Sequence, residues 1–272
     1  MDIRSCLRFL GWEARVYGKP FQILKLNLST AMKAFLLAAG HGTRMRPLTD
    51  SIPKCLLPIQ GVPILQIWLD LCRRHGIDEI LINVHAHAKA VREFLERNSY
   101  GIEVCVSEEP LLLGSAGTLL TNRAWLGSGC PFWVFYSDVL TNANLVAMLE
   151  HHKNCSQVAT LGVSGVSEPR RCGIVAVDED GVVREFVEKP QKPSSNLAFS
   201  GIIVCEPSLL DFIPNQIPAD IGFHVLPKLV GRMAAYRISD YLLDIGTPEN
   251  YKAAQLNWPA IADARTTGGE QF

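Results

Sequence analysis

Two glycines, two arginines and a lysine lie close together near the start of the chain. Residues 36–59 read LLAAGHGTRMRPLTDSIPKCLLPI, in which an apolar run ends at Gly40 and Gly42 and is followed by Arg44 and, beyond a proline-bounded loop, by Lys54. Without a Cβ, glycine lets backbone N–H groups close around phosphate oxygens, and arginine can bind a polyphosphate through two parallel hydrogen bonds. A bare GxG is better interpreted as a plain turn, but the added cations favour a phosphate site.

The loop differs from the two commonest nucleotide-binding loops. No GK[ST] follows the glycines, which excludes a P-loop. The third glycine of GxGxxG is also missing, which excludes the dinucleotide-binding fingerprint. The motif therefore indicates a different arrangement of backbone and cations around phosphate.

Two aspartates stand at the ends of predicted strands and could hold a divalent cation. Asp138 closes PFWVFYSD (131–138), and Asp244 closes the apolar part of AAYRISDYLLDIG (234–246). Mg²⁺ prefers carboxylates together with phosphate oxygens and retained waters. Either aspartate alone is better explained as a helix cap or a turn former, so the metal interpretation depends on the motifs in which the pair occurs.

The elements that must position these groups alternate between strand and helix in the first half of the chain. Apolar patterns predict strands over 33–38, 79–84, 102–106 and 131–138, and helices over 64–75, 88–97 and 144–152. This order predicts an α/β fold with a Rossmann-like, mainly parallel mixed sheet flanked by helices. Ligands of such sheets bind at the carboxyl edge of the strands.

The second half predicts a smaller β-rich lobe. A hairpin is expected over 173–190, a strand over 199–206, and a last helix from Pro248 through about residue 256. Residues 32–258 form the predicted domain, and 259–272 a polar tail. Residues 1–31 precede the natural first strand and are expected to be an extension, from an upstream start codon; the alternative is an element packed on the domain edge.

Composition limits the classes of partner. The chain has 272 residues, 48% of them apolar, and a net charge of -1, so no global charge attracts nucleic acid or an anionic membrane. The longest apolar runs are far shorter than a membrane span. The eight cysteines form no CxxC and no zinc-ligand spacing, as expected for buried thiols in a reduced, cytoplasmic setting.

Several motifs, in order along the chain, resemble those of the sugar-1-phosphate nucleotidyltransferases. Residues 36–59 resemble the G-x-G-T-R-[ML]-x-P-L-T loop and the P-K-x-[LM]-x-P segment of that family. Further matches are LLLGSAGTLL (111–120), YSDVL (136–140), VEKP (187–190), FSGI (199–202) and YLLDIGTPENY (241–251). The resemblance covers about residues 32–258. It departs from the family pattern at Ser137, where glycine is usual, and at Leu242 or Leu243, where an aromatic residue is common.

The resemblance implies attack of a sugar-1-phosphate oxygen on the α-phosphorus of a nucleoside triphosphate, with release of pyrophosphate and no covalent intermediate. It implies the following roles: Arg44, Lys54 and Lys189 as catalytic residues; Leu37, Ala39, Gly40, Gly42, Thr43, Glu109, Gly114, Ala116 and Gly117 around the nucleotide; Gly173, Glu188, Ser200 and Gly201 around the sugar; and Asp138 and Asp244 as ligands of Mg²⁺. The expected partners are the two substrates alone, with no nucleic acid and no membrane, and a homo-oligomer is an open alternative.

The base-reading segment favours GTP. Ser107-Glu108-Glu109-Pro110 stands where pyrimidine-using relatives carry a glutamine, and a carboxylate can accept both N–H groups on one edge of guanine. The segment also resembles that of the guanylyltransferases for mannose-1-phosphate, so a GDP-sugar is the expected product. The alternatives are a UTP- or dTTP-using enzyme for glucose-1-phosphate or an amino sugar, a non-catalytic NDP-sugar sensor, and a glycosyltransferase, which would usually show a DxD motif that is missing near Asp138.

Overall fold

The computed structural model describes residues 15–16, 31–97, 100–127 and 129–259. The strands are β1 Arg15–Val16, β2 Lys33–Leu37, β3 Pro58–Ile59, β4 Val62–Pro63, β5 Glu79–Val84, β6 Glu103–Glu108, β7 Phe132–Tyr136, β8 Val139–Thr141, β9 Ala159–Gly165, β10 Gly173–Val177, β11 Val183–Glu188, β12 Leu197–Cys205, β13 Met233–Arg237 and β14 Leu242–Asp244. The α-helices are α1 Ile64–Arg74, α2 Ala88–Glu96, α3 Ser115–Thr121, α4 Arg123–Leu126, α5 Leu145–Cys155, α6 Ile221–His224 and α7 Pro248–Asn257.

The first half of the chain builds a parallel sheet in the order β6-β5-β2-β7. The chain moves outward from β2 to β5 and β6, then returns to place β7 on the other side of β2. Connections after β2 and after β7 therefore diverge and leave a crevice at their carboxyl ends, where ligands of open α/β sheets bind. Leu37 pairs with Tyr136 at this edge, so these two residues mark the mouth of the crevice.

The second half continues the same sheet mostly with antiparallel pairs, although β13 runs parallel to β9. Strand β12 pairs antiparallel with β7, β9 and β10, and β10 forms the predicted hairpin with β11. The predicted mixed α/β sheet flanked by helices is confirmed. The β-rich part extends that sheet, because β12 hydrogen-bonds directly to β7.

Two apolar clusters cover the two faces of the sheet. Leu36 and Phe135 belong to one cluster, with α1, α2 and α5, whereas the adjacent Phe35 and Val134 belong to the other, with α3 and α6. Neighbouring residues of a strand point to opposite faces. Because both faces are covered, the central strands are buried, which explains their continuous apolar sequences.

Residues outside the predicted domain are described only in part. Arg15 and Val16 pair antiparallel with Val106 and Cys105 of β6. The remainder of the predicted extension, apart from Ala31, and nearly all of the predicted polar tail lie outside the described residues. Within the described part of the chain, no helix is long and apolar enough to cross a membrane.

Candidate active site

A cleft of ≈ 460 Å³ opens at the carboxyl ends of β2 and β7. Of the residues predicted to contact nucleotide, metal or phosphate, those that line it are Leu37, Ala39, Gly40, Gly42, Thr43, Arg44, Lys54, Glu109, Gly114 and Asp138. The residues that line it without having been predicted are Ala38, His41, Asn83, Leu112, Ser115, Tyr136, Ser137 and Gly246. Segments far apart in sequence thus meet at the edge where the topology leaves a crevice.

The glycine turn aims Arg44 into the cleft. Gly42 has φ 61°, in the left-handed region, and begins a short 3₁₀ helix over Thr43–Met45. A Cβ at Gly42 would lie 3.0 Å from Thr49 Cγ2, and the Thr49 hydroxyl donates to the Gly42 carbonyl at 2.8 Å. Met45 is buried and anchors the turn. The left-handed backbone conformation favours glycine here, and Thr49 leaves little room for a Cβ.

Four charged side chains converge around Gly246. The position that a Cβ would occupy on Gly246 lies 2.7 Å from Asp244 Oδ1, 2.9 Å from an Arg44 guanidinium nitrogen and 3.3 Å from Lys54 Nζ. Lys54 Nζ in turn forms an ion pair with Asp138 Oδ2 at 3.0 Å. The structure therefore brings together Arg44, Lys54, Asp138 and Asp244, as the motifs predict.

Strand pairing places the two aspartates beside each other. In the β8–β14 pair, Asp244 is opposite Val139, the residue after Asp138, and the Ile245 N–H donates to the Asp138 carbonyl at 2.9 Å. The Gly246 N–H donates to Asp244 Oδ1 at 2.6 Å, which fixes that carboxylate. The small β8–β14 sheet therefore brings Asp244 close to Asp138, which lines the cleft.

The donor set fits a hard divalent cation that binds together with phosphate. Among the described residues, no group of three or more His, Cys, Asp or Glu side chains could hold a metal, so Asp138 and Asp244 form a pair without a third such ligand. Mg²⁺ is commonly held by one or two carboxylates, with substrate phosphates and waters completing its shell. In this structure the Lys54 ammonium forms an ion pair with Asp138 and provides the positive charge beside that carboxylate.

Glu109 is held by a buried hydrogen-bond network. Its Oε1 accepts from the Asn83 amide at 2.8 Å and from the Thr118 hydroxyl at 2.5 Å, and its Oε2 accepts from the Leu113 N–H at 3.2 Å. The other end of Asn83 accepts from the Ala38 N–H at 2.7 Å. Through Asn83, this network connects Ala38, just before the glycine turn, to Glu109 in the predicted base-reading segment. Guanine reading by Glu109 stays a prediction, and its carboxylate has a structural task that the motif did not indicate.

The predicted nucleotide contacts Ala116 and Gly117 do not line the cleft. Their N–H groups donate to the Ala219 carbonyl at 2.9 and 3.1 Å, so these donors are not available to a ligand. Gly114 does line it, with φ 76°, and a Cβ there would lie 2.3 Å from the Ala219 carbonyl oxygen. Glycine is therefore required at 114, because the backbone around Ala219 packs directly against it. Ala116 and Gly117 thus pack against Ala219 in this structure, and their contact with nucleotide stays a prediction.

Glu188 lies in a space left by two glycines. Positions for a Cβ on Gly173 and on Gly222 would lie 2.7 and 2.5 Å from Glu188 Oε2. Burial raises the pKa of Glu188, the nearby Lys189 opposes this shift, and Asp220 adds to it. A half-buried carboxylate between glycines is suited to accepting hydrogen bonds from sugar hydroxyls.

Lys189 stands at the rim beside Glu188. Its φ of 49° is unusual for a residue with a side chain, and its N–H donates to the Cys172 carbonyl at 3.0 Å. Its Nζ lies 3.8 Å from Glu188 Oε1 and 5.7 Å from the Phe223 ring centroid. The structure thus places Lys189 with the predicted sugar residues and outside the lining of the ≈ 460 Å³ cleft.

Ser200 and Gly201, predicted as sugar contacts, have different surroundings. A Cβ on Gly201 would lie 2.9 Å from Val139 Cγ2 and 3.2 Å from Tyr136 Cβ, so this glycine packs close to the cleft. Ser200 Oγ is buried without a hydrogen-bond partner and lies 2.6 Å from the position of a Cβ on Gly162. Ser200 therefore lies against Gly162 of the neighbouring strand, and its sugar contact stays a prediction.

Sequence reasoning missed several polar groups near the site, among them Asn83, Ser115, Tyr136 and Asp220. Burial raises the pKa of Tyr136, Asp220 adds to the shift, and a hydrogen bond with Ser115 opposes it. Ser115 stood within a matched motif, so its exposure to the cleft could have been foreseen. Asp220 had no such signal, since it lies outside every motif quoted above.

Fold and cleft together define a mixed α/β protein with a charged, glycine-lined cleft at the carboxyl ends of its parallel strands. The family model described as "Nucleotidyl transferase" matches residues 33–259. The chain belongs to the nucleotidyl transferase family, which confirms the family predicted from the motifs.

Individual relatives agree with this assignment. The chain is 35% identical over 227 residues to mannose-1-phosphate guanylyltransferase 1 of Arabidopsis thaliana, covering 81% of this chain and 63% of that protein. It is 33% identical over 230 residues to the mannose-1-phosphate guanylyltransferase catalytic subunit beta of Drosophila pseudoobscura pseudoobscura, covering 83% and 62%. The chain thus spans less than two thirds of the length of these relatives.

A solved structure shares the fold. The UDP-glucose pyrophosphorylase from Acinetobacter baumanii superposes with a TM-score of 0.73 at 23% identity, covering 84% of this chain and 93% of that one. At this identity the match supports the architecture and carries no statement about substrate.

Proposed function

We propose that this protein transfers a guanylyl group from GTP to mannose-1-phosphate or a similar sugar-1-phosphate, giving a GDP-sugar and pyrophosphate. The convergence of Arg44, Lys54, Asp138 and Asp244 around Gly246 carries the proposal. Two anionic reactants repel each other, and a cleft that gathers two cations and two metal-suited carboxylates offsets that repulsion. The names of the relatives support the choice of guanine and mannose.

The reaction is an in-line displacement. A phosphate oxygen of the sugar-1-phosphate forms a bond to the α-phosphorus, the bond from that phosphorus to the bridging oxygen breaks, and pyrophosphate leaves with the electron pair. A phosphate monoester is already a nucleophile, so no side chain has to remove a proton. The work of the protein is to align the reactants and to stabilise the charge of the transition state.

Each cationic side chain lies where it could stabilise the negative charge on a different phosphate of the two substrates. Arg44, at the end of the glycine turn, would bind the β- and γ-phosphates and the departing pyrophosphate. Lys54, 3.0 Å from Asp138 Oδ2, would bind the α-phosphate or the attacking phosphate. Lys189, beside Glu188, would hold the phosphate of the sugar, while Glu188 accepts hydrogen bonds from sugar hydroxyls.

Asp138 and Asp244 would hold Mg²⁺. When bound, the ion would neutralise phosphate charge and fix the phosphate oxygens. The β8–β14 pair keeps the backbones of the two aspartates close together, and Lys54 would exchange its contact with Asp138 for one with phosphate. The protein's own contribution at this end of the cleft would therefore be two anionic ligands and an ammonium group that is paired with one of them.

A substrate panel tests the proposal. GTP, ATP, CTP, UTP and dTTP are each combined with mannose-, glucose- and N-acetylglucosamine-1-phosphate and a heptose-1-phosphate, with Mg²⁺, and pyrophosphate release is measured. The greatest kcat/KM is expected for GTP with mannose-1-phosphate or a similar hexose- or heptose-phosphate. A preference for UTP or dTTP would replace the guanylyl assignment. Binding of NDP-sugars without any pyrophosphate release would identify a sensor.

A further inference from the structure

A second cavity lies apart from the cleft that holds the charged cluster. Its volume is ≈ 600 Å³, and it shares no lining residue with the ≈ 460 Å³ cleft. Its wall includes two consecutive arginines, Arg170 and Arg171, together with Ser167, Glu168 and two prolines. We call it the arginine cavity. Its volume is within the usual range for sites that bind small molecules.

Two loops frame the arginine cavity. One loop joins β9 to β10, and the other joins β11 to β12. The Val166 N–H donates to the Asn196 carbonyl at 2.9 Å, and the Lys189 N–H donates to the Cys172 carbonyl at 3.0 Å. Backbone hydrogen bonds thus hold the two loops against each other at both ends, so the backbone sets the space between them.

The turn that carries the arginines is also constrained. Pro169 begins a 3₁₀ helix over Pro169–Arg171, and the proline ring fixes φ at that position. The Cys172 N–H donates to the Pro169 carbonyl at 3.2 Å, which closes the turn. Both arginines therefore extend from a backbone whose conformation is largely set before a ligand arrives, and this lowers the entropic cost of binding.

The charges of the arginine cavity favour an anion. Arg171 forms an ion pair with Glu168 at 2.7 Å, and both side chains are more than half exposed. Exposed ion pairs of this kind contribute little to stability. Arg170 lines the cavity without a hydrogen bond or an ion pair to any residue that the structure describes. The cavity thus offers one uncommitted guanidinium group and a second that is held only by an exposed pair.

The same wall offers groups that recognise hydroxyls. Guanidinium groups bind a phosphate through parallel hydrogen bonds. Once a phosphate has replaced Glu168 on Arg171, the carboxylate is free to accept hydrogen bonds from hydroxyl groups. The exposed Ser167 hydroxyl can donate or accept. Cations beside a carboxylate are also what Lys189 and Glu188 present at the predicted sugar site.

We propose that the arginine cavity is a second binding site, separate from the active site, for a sugar phosphate. Arg170 and Arg171 bind the phosphate group, and Glu168 and Ser167 bind hydroxyls of the sugar. The proposal does not depend on the proposed function, because none of these four residues lines the cleft that holds the charged cluster.

Calorimetry with the active site filled tests the proposal. The full-length protein is saturated with GDP-mannose and Mg²⁺, and glucose-6-phosphate is then titrated. Its phosphate is not on the anomeric carbon, so it cannot act as the sugar-1-phosphate of the proposed reaction. One molecule is expected to bind per chain, with a Kd of about 1 mM or less. Inorganic phosphate has no hydroxyls of a sugar for Glu168 and Ser167, and is expected to bind at least about 10-fold more weakly.

Two double variants separate this site from a general effect of charge. Arg170→Ala with Arg171→Ala should raise the Kd of glucose-6-phosphate by at least about 10-fold, because the donors to its phosphate are lost. Arg97→Ala with Arg123→Ala removes the same charge from two exposed arginines outside the cavity and should keep the wild-type Kd. Thermal unfolding of each variant, followed by circular dichroism, checks that it folds.

The outcomes that would overturn the proposal are specific. They are no binding of glucose-6-phosphate to wild-type protein, an unchanged Kd without Arg170 and Arg171, or the same weakening in both double variants. Equal Kd values for inorganic phosphate and glucose-6-phosphate would overturn the choice of a sugar phosphate. The substrate panel judges the proposed function separately, through pyrophosphate release. If GDP-mannose did not bind, the comparison of the two double variants would still decide the proposal.

Discussion

The two halves of the site are built differently, although they belong to one sheet. The parallel half contributes a glycine turn, Arg44 and Lys54 at strand ends. The antiparallel half contributes Glu188 between two glycines, with Asp220 nearby and Lys189 at the rim. The first half is thus rich in cations and backbone donors, and the second in carboxylates and close-packed glycines.

This difference follows from the chemistry of what each half would bind. Phosphates carry concentrated negative charge and are bound by N–H groups and fixed cations. Sugars carry neutral hydroxyls, which can donate hydrogen bonds to carboxylates. The comparison predicts that variants of the first half change turnover and nucleotide use, whereas variants of the second change the KM of the sugar-1-phosphate.

Asp138→Asn should have the largest effect. Loss of one charged metal ligand is expected to lower kcat by about 10²- to 10³-fold, the range seen when one group that stabilises transition-state charge is removed. The KM of the sugar-1-phosphate should change little, as steady-state kinetics would show. Asp211→Asn, at an exposed site, is the control. Near-normal turnover with Mg²⁺ would refute the metal assignment.

A pair of glycine variants compares the halves through backbone and side-chain packing. At Gly114 an alanine would be strained by its φ of 76° and would clash with the backbone oxygen of Ala219, so about 2 kcal/mol of unfolding free energy should be lost. At Gly173 an alanine would contact the side chains of Phe186 and Glu188. Because these side chains can shift, the loss of unfolding free energy should be smaller, about 1 kcal/mol.

Chemical denaturation measures both free energies, and kinetics gives the functional half of the comparison. Gly114→Ala should raise mainly the KM of GTP, and Gly173→Ala mainly that of the sugar-1-phosphate. If both variants raised the same KM, the division of the site between the two halves would be wrong.

Glu188→Gln tests the sugar half through pH. Burial raises the pKa of Glu188, so as the pH falls its carboxylate becomes protonated earlier than an ordinary glutamate and stops accepting hydrogen bonds. The KM of the sugar-1-phosphate is therefore expected to rise on the acid side. The Glu188→Gln variant should raise this KM by roughly 10-fold, which corresponds to about 1.4 kcal/mol. It should also lose the rise in KM at low pH that protonation of Glu188 causes.

The substrate phosphate provides the internal control for this pH profile. Its second ionisation, with a pKa of about 6, affects wild type and variant equally. Only the difference between the two profiles reports on Glu188. Superimposable profiles would remove Glu188 from sugar recognition.

Glu109→Gln separates base reading from structure within the nucleotide half. Replacing a buried acceptor that binds the Leu113 N–H with an amide should cost about 1–3 kcal/mol of unfolding free energy. If Glu109 also reads guanine, kcat/KM should fall further for GTP than for UTP. Glu108→Gln removes only an exposed ion pair with Arg92, worth little. Equal losses of kcat/KM for GTP and UTP would show that Glu109 has only a structural role.

Deleting residues 1–31 should have the smallest effect. The described contacts that are lost include the pairings of Arg15 and Val16 with β6, which lies two strands away from β2 in the sheet. Activity and solubility are expected to remain near those of the full chain in assays of purified protein. An insoluble or inactive product would show that this segment belongs to the domain.

Local patterns were sufficient for most of the elements. The predicted strand over 79–84 matches Glu79–Val84, the predicted helix over 64–75 matches Ile64–Arg74, and Pro248 begins the last helix with Thr247 as its cap. Strand β9 and the short pair β8–β14 had not been predicted. Their partners are distant in sequence, and three-residue strands have no periodicity to detect.

The sequence alone determined which charged groups the protein has and the order of its motifs, because glycine, arginine and aspartate each carry their chemistry in the residue itself. Tertiary structure decided which of them meet. It placed Arg44, Lys54, Asp138 and Asp244 around Gly246, turned Ser200 inward, committed the N–H groups of Ala116 and Gly117 to Ala219, and brought Asp220 to Glu188. Strand pairing and close packing join residues more than a hundred positions apart, and no local pattern encodes such distances.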